Sequence, residues 1–266
     1  MCGVVGIIGK KNASSLVLEG LKKLEYRGYD SAGIASFYQK SIQVAKSEGK
    51  LVNLINKVND LAKDNLYYET SIALGHTRWA THGNINIKNA HPLTSENRVA
   101  VVHNGIIENY ASIKKTLESE GYVFTSQTDT EVLPHLFNKY LKKGHDFLQA
   151  GRLVLKDIKG AFAFVAICLD FPDQLFVSRN SSPLAIGLGE GSNFVGSDAQ
   201  SINHLTNKII YLEDGDYALI QINNIEVFDK NSNKIDRKII NVQSELGLIT
   251  KGGYKHFMEK EIYEQP

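Results

Sequence analysis

The chain has 266 residues, 42% of them hydrophobic, with 30 basic and 29 acidic side chains and a net charge of +1. That length holds one large α/β domain or two small ones with ample material for a core. The charges are scattered, which argues against nucleic acid or an anionic membrane as a partner, and the apolar runs are too short to span a bilayer. A cytoplasmic protein without a leader is expected.

The chain opens on a short apolar run, residues 1–9, that reads as a strand and places a thiol, Cys2, one residue from the start. If Met1 is removed, Cys2 carries a nucleophile and a free amine on one residue. A thiol with a pKa of about 8.5 is only a few per cent thiolate at neutral pH, whereas an α-amine titrates at about 7.7 to 8.0. The amine can therefore take the thiol proton, directly or through one water, and later hand it to departing ammonia. The competing reading is a small apolar residue on an edge strand.

Residues 14–26 put Leu16, Val17, Gly20, Leu21 and Leu24 on one face of a helix. A glycine-punctuated turn over 26–33 leads into a strand at 34–38 and an alternating partner at 42–47. A helix over 50–63 and a short strand at 71–75 follow. His76-Thr77-Arg78-Trp79-Ala80-Thr81-His82-Gly83 is polar, aromatic and unpatterned, and reads as an ordered functional loop. A buried strand over 99–103 ends on Asn104-Gly105, with a helix over 108–120 and a strand over 122–126 behind it. Thr128-Asp129-Thr130-Glu131 has the capping-box pattern for a helix reaching residue 140. Another helix covers 145–156. From residue 160 the pattern turns to strands, at 161–169, 174–178, 184–188, 194–196, 209–212, 217–222 and 225–228. Helices in the middle and sheet at both ends suit an α+β sandwich of two antiparallel sheets with helices on both outer faces. One domain over residues 2–240 is expected, followed by a tail over 241–266.

Amide hydrolysis needs donors aimed at a developing oxyanion, and Asn104-Gly105 offers a side-chain amide beside a backbone N–H. A strand-end Asn-Gly is also the commonest signal of a tight hairpin, although Ile106-Ile107-Glu108 enters a helical pattern instead of a return strand. Arg78 can grip a carboxylate bidentately, and Asp129 can accept from an ammonium. Singly, they read equally well as a surface cation and as a charge at a helix start. His76, His82, His91 and His103 are unevenly spaced and no second cysteine lies near Cys2, so no metal site is expected. Cys168 reads as a structural residue of a buried strand, with no disulfide to Cys2. Gly187-Leu188-Gly189-Glu190-Gly191 lacks the spacing of a dinucleotide fingerprint and reads as a turn.

Taken together, the opening Met-Cys-Gly-Val-Val-Gly, the segment Leu24 to Gly33, the segment His76 to Gly83, Val102-His103-Asn104-Gly105-Ile106-Ile107-Glu108-Asn109 and Thr128-Asp129-Thr130-Glu131-Val132 resemble, in order and spacing, the glutaminase (class II glutamine amidotransferase) part of the glutamine–fructose-6-phosphate aminotransferases. The closing His256 to Pro266 resembles the junction with their sugar-phosphate isomerase half. The resemblance implies the N-terminal-nucleophile hydrolase fold, a four-layer αββα sandwich. It also implies cleavage of Met1 and attack of Cys2 on the γ-amide of L-glutamine, giving a glutamyl thioester and ammonia, with no cofactor. By the same resemblance Asn104 and Gly105 form the oxyanion hole, Arg78 holds the glutamine carboxylate and Asp129 its ammonium. Trp79, Thr81 and His82 belong to the loop that closes over glutamine, and Arg27 and Tyr29 support the nucleophile. The partner it implies is an isomerase half that this sequence does not contain, through which alone fructose 6-phosphate is reached, in a homo-oligomeric whole serving amino-sugar biosynthesis. Ser181 stands where the family usually carries glycine. Two other readings stay open: the glutaminase part of another class II enzyme such as amidophosphoribosyltransferase, and a catalytically silent glutamine-binding module.

Overall fold

The computed structural model describes residues 2–9, 12–27, 29–62, 70–79 and 84–242. In chain order these form β1 (Gly3–Ile8), α1 (Ala13–Leu24), β2 (Ser31–Tyr38), β3 (Ser41–Glu48), α2 (Leu51–Ala62), β4 (Ile72–Arg78), β5 (Leu93–Ser95), β6 (Val99–Ile107) and α3 (Tyr110–Ser119). There follow α4 (Val132–Lys142), α5 (Phe147–Asp157), β7 (Gly160–Cys168), β8 (Phe171–Asn180), β9 (Ala185–Gly189), β10 (Ser192–Gly196), β11 (Lys208–Tyr211), β12 (Tyr217–Ile220), β13 (Ile225–Phe228), β14 (Lys234–Ile235) and β15 (Ile239–Asn241).

Two sheets take up the strands. One has eight, in the order β15-β11-β9-β10-β1-β4-β2-β3, and the other seven, in the order β14-β13-β12-β8-β7-β6-β5. Adjacent strands in both run antiparallel. The unbroken apolar sequence of β1 follows from its place, because all six of its residues are buried and the two faces of the strand meet different layers. Val4 and Ile8 enter the core between the sheets, with Leu74, Val102, Val165 and Val195. Val5 and Ile7 point the other way, into a layer with Val17 and Leu21 of α1 and Leu51 and Leu54 of α2. On the far side, α3, α4 and α5 cover the second sheet through Leu117, Phe137 and Phe147. The expected four-layer αββα sandwich is the architecture found. Phe176 sits amid Phe137, Phe147, Phe164 and Tyr217, where truncation to alanine would cost about 3–5 kcal/mol.

Several local expectations fail for identifiable reasons. Residues 76–78, read as loop, complete β4, whose seven residues are all buried; polar side chains in a doubly covered strand hide the strand pattern. Asn104 and Gly105 do not end a strand. They lie inside β6, opposite Ala163 and Phe162 of β7, so the hairpin reading is excluded. Residues 122–126 form no strand, because the Thr125 and Ser126 N–H groups donate to the Glu131 carboxylate at 2.8 and 2.6 Å. Those bonds also dissolve the capping box: Glu131 reaches back to the preceding loop, and Thr128 makes no side-chain cap. The eight-stranded sheet takes in Asn241, which pairs with Lys208, and the rest of the tail from 243 lies outside the described residues. Cys168 is buried in β7, and of the turn expected over residues 187–191 only Glu190 and Gly191 turn between β9 and β10, because Gly187, Leu188 and Gly189 pair with β10 inside β9. Among the described residues no helix is long and apolar enough to cross a membrane.

Candidate active site

The site lies where the apolar layer between the sheets stops. Side chains two residues apart share a strand face, so each of four strands carries that layer one step further with a polar residue. Val4 is succeeded by Cys2, Leu74 by His76 and then Arg78, Val102 by Asn104, and Val195 by Ser197. Cys2, His76, Arg78, Asn104 and Ser197 line one pocket of about 430 Å³.

β1 delivers Cys2 because both of its flanks are tied. Gly3 pairs with Thr77 of β4. On the other side the Val4 N–H donates to Ser197 Oγ at 3.1 Å and the Ser197 N–H to the Val4 carbonyl at 3.0 Å. The sulfur accepts from the Trp79 N–H at 3.1 Å and lies 3.4 Å from the Trp79 carbonyl. Burial pushes the Cys2 thiol pKa up, while the Trp79 N–H and the nearby Arg78 charge pull it back. A sulfur so placed needs a base at hand to become a thiolate.

From the opposite sheet, Asn104 Nδ2 donates to the Cys2 carbonyl at 3.1 Å, and its Oδ1 lies 3.0 Å from His76 Nε2. Gly105 has φ of +130°, and a Cβ there would stand 2.0 Å from the Ala161 carbonyl oxygen. Only glycine fits. Asp129 sits in a 3-10 turn (Asp129–Glu131), where its Oδ2 accepts from the Ile107 N–H at 2.7 Å. Asp129 and Arg78, both buried, present opposite charges to the same pocket, a pattern that suits a zwitterion. Arg78 also donates to the Asn84 carbonyl at 3.4 Å.

Six predicted site residues therefore meet: Cys2, Arg78, Trp79, Asn104, Gly105 and Asp129. Thr81 and His82 lie outside the described residues, as does the side chain of Arg27. Tyr29 donates to Glu25 Oε1 at 2.7 Å and is not among the pocket-lining residues. Ser197 carries no signal in the sequence, and His76, His91 and His103 suggest there only the metal reading set aside above. A period-two count back from Arg78 would have put His76 on the same face. The ring centroids of His76 and His91 are 4.3 Å apart, and those of His91 and His103 6.5 Å. Burial lowers the pKa of His76 to about 3 and of His103 to about 4, and holds His91 well below its usual value. All three are neutral at physiological pH and too weakly basic to take a thiol proton. Among the described residues no three His, Cys, Asp or Glu side chains group as metal ligands.

Residues 76–204 match the family model described as a glutamine amidotransferase domain. Over its full length the chain is 50% identical to a glutamine–fructose-6-phosphate aminotransferase (isomerizing) of Fusobacterium nucleatum and 47% identical to one of Acinetobacter baylyi. It spans 43% and 42% of those relatives, less than half of their length. Among solved structures, a glutamine phosphoribosylpyrophosphate amidotransferase from B. subtilis superimposes with a TM-score of 0.71 at 26% identity, over 88% of this chain and 50% of that one. A structure described as the allosteric regulatory enzyme of purine biosynthesis gives 0.72 at 28% identity, over 87% and 50%.

Proposed function

We propose that the chain, whose residues 76–204 match a glutamine amidotransferase domain and which is 50% identical to a glutamine–fructose-6-phosphate aminotransferase, is a class II glutamine amidotransferase that hydrolyses L-glutamine to glutamate and ammonia with Cys2 as nucleophile. Removal of Met1 frees the Cys2 amine, which takes the thiol proton. The sulfur attacks the side-chain carbonyl carbon, and the resulting oxyanion is met by Asn104 Nδ2 and the Gly105 N–H. Collapse breaks the C–N bond, with the amine returning its proton so that ammonia leaves and a glutamyl thioester remains. Water, deprotonated by the same amine, then opens the thioester to glutamate and restores the thiol. Arg78 holds the substrate α-carboxylate and Asp129 its α-ammonium, with Trp79 on the wall of the same pocket.

The observation that carries this reading is the placement of Asn104 Nδ2, 3.1 Å from the carbonyl of Cys2 itself, which ties the proposed oxyanion donor to the nucleophile's own residue. As in the aminotransferases to which it is similar, the ammonia is to pass to a sugar-phosphate isomerase part that aminates fructose 6-phosphate in the cytoplasm. Identity of 47–50% to aminotransferases of that substrate, against 26–28% to the purine-pathway structures, favours this acceptor over a phosphoribosyl one. The test is glutamate release from glutamine by the Met1-free chain and its Cys2→Ala variant. Loss of turnover with an unchanged melting temperature is expected, and a variant that still releases glutamate would end the proposal.

A further inference from the structure

We infer that His76 is a positioning residue that, together with the Cys2 carbonyl, holds the Asn104 amide with its nitrogen facing the oxyanion. This rests on the reading of Asn104 as an oxyanion donor. The two ends of a primary amide are nearly the same size, so shape alone does not choose between them. Hydrogen bonding does. The Cys2 carbonyl only accepts, so the amide nitrogen must face it, as it does at 3.1 Å. Oδ1 then faces His76 Nε2 at 3.0 Å and can only accept. The proton of the neutral ring must therefore sit on Nε2, leaving Nδ1 bare.

One further observation supports that tautomer, and two others keep the ring neutral and in place. His76 Nδ1 is buried and makes no well-formed hydrogen bond, although the His103 backbone lies near the ring, and a lone pair tolerates that place better than an N–H would. Burial brings the His76 pKa to about 3, so the ring does not acquire a second N–H near neutrality. The His91 ring lies against it at 4.3 Å, itself fixed by the His103 N–H reaching His91 Nδ1 at 3.4 Å. The chain of contacts runs from the β6 backbone through two imidazoles to the amide. Because an amide nitrogen has two hydrogens, one stays on the Cys2 carbonyl while the other meets the oxyanion, and nothing reorganises during attack. Without the His76 donor the Cys2 carbonyl alone orients the amide and Oδ1 is left without that partner, so the nitrogen is held less firmly against the negative charge.

The experiment is a double-mutant cycle on the Met1-free chain, with Asn104→Ala, His76→Leu and their combination. Asn104→Ala should lower kcat by about a hundredfold to a thousandfold. His76→Leu should lower kcat by about tenfold to a hundredfold with the glutamine KM within about twofold, and should add no more than about twofold when Asn104 is already alanine. Alkylation of Cys2 by iodoacetamide, which develops no oxyanion, should be unchanged in His76→Leu. His76→Gln, whose amide nitrogen falls near the Nε2 position, should keep kcat within about threefold, whereas His76→Asn, which reaches only the Nδ1 position, should not. An active His76→Leu beside a crippled Asn104→Ala would overturn this inference alone, as would equal losses from His76→Leu in both backgrounds. A harmless Asn104→Ala would overturn the oxyanion reading beneath it. If His76→Leu fails to fold, the glutamine and asparagine variants decide, and equal rates for those two would refute the role.

Discussion

Asn89 and Gln127 hold each other by two hydrogen bonds: the Gln127 N–H donates to Asn89 Oδ1 at 2.8 Å, and Asn89 Nδ2 to Gln127 Oε1 at 3.1 Å. Asn89 is fully buried and also donates to the Asn84 carbonyl at 2.8 Å, while the Asn84 N–H donates to Gln127 Oε1 at 3.2 Å. Asn84 accepts from Arg78, and Gln127 precedes Asp129 by two residues. This knot therefore sets the spacing between the two charges proposed to hold the ends of the substrate. Asn89→Leu should raise the glutamine KM about tenfold, since it removes hydrogen bonds to buried groups worth about 1–3 kcal/mol, with kcat within about twofold. Initial-rate kinetics check it; a lowered kcat at unchanged KM would contradict the assignment.

Arg78→Lys replaces a planar fork by a point charge. The half-saturating glutamine concentration should rise about tenfold, the equivalent of about 1.4 kcal/mol, while turnover at saturation is largely kept. An unchanged KM would remove Arg78 from the carboxylate clamp.

Ser181 has φ of +67°, with its N–H donating to Asp214 Oδ1 at 2.8 Å. A left-handed backbone costs a non-glycine residue about 1–2 kcal/mol, offset in part by the greater entropy that glycine loses on folding, about 0.5–1 kcal/mol. Ser181→Gly should therefore stabilise the chain by about 0.5–1 kcal/mol, read as a higher denaturation midpoint at unchanged slope. A lower midpoint would show that the seryl side chain contributes more than the strain it carries.

The buried imidazoles make stability depend on pH. In the folded chain His76 and His103 titrate at about 3 and about 4, and His91 is also lowered, whereas the unfolded chain protonates them near 6.5. The unfolded state thus binds more protons as pH falls below about 6.5, and stability declines from there toward about pH 4 by up to about 1.4 kcal/mol per pH unit for each histidine. Urea midpoints measured from pH 7 to pH 4 should fall steeply, and His103→Asn should flatten the curve. A flat profile in the parent chain would mean that the rings are not buried neutral.

The sequence made the sandwich legible where a strand is covered on both sides, as in β1 and β7, because burial on two faces leaves an uninterrupted apolar run. It misled where a polar side chain serves a neighbour distant in the chain. Glu131 looks like a helix cap but binds Thr125 and Ser126, and His76 looks like loop because its partner, Asn104, is 28 positions away on the other sheet. Cys2, Arg78, Asn104, Gly105 and Asp129 were legible through their motifs. Ser197, 193 positions from the Val4 amide that it receives, has no local signature at all, since its role exists only once β1 and β10 are in register.

A pocket built at the margin of the layer between two sheets has one floor and two owners, since β1, β4 and β10 belong to one sheet and β6 to the other. Whatever occupies it rivets the halves of the sandwich together, so occupancy should be felt by the whole molecule as resistance to unfolding. At a hundred times its Kd, a reversible glutamine analogue would add about 2.7 kcal/mol, and the same seam that seats the substrate would then be the last to part.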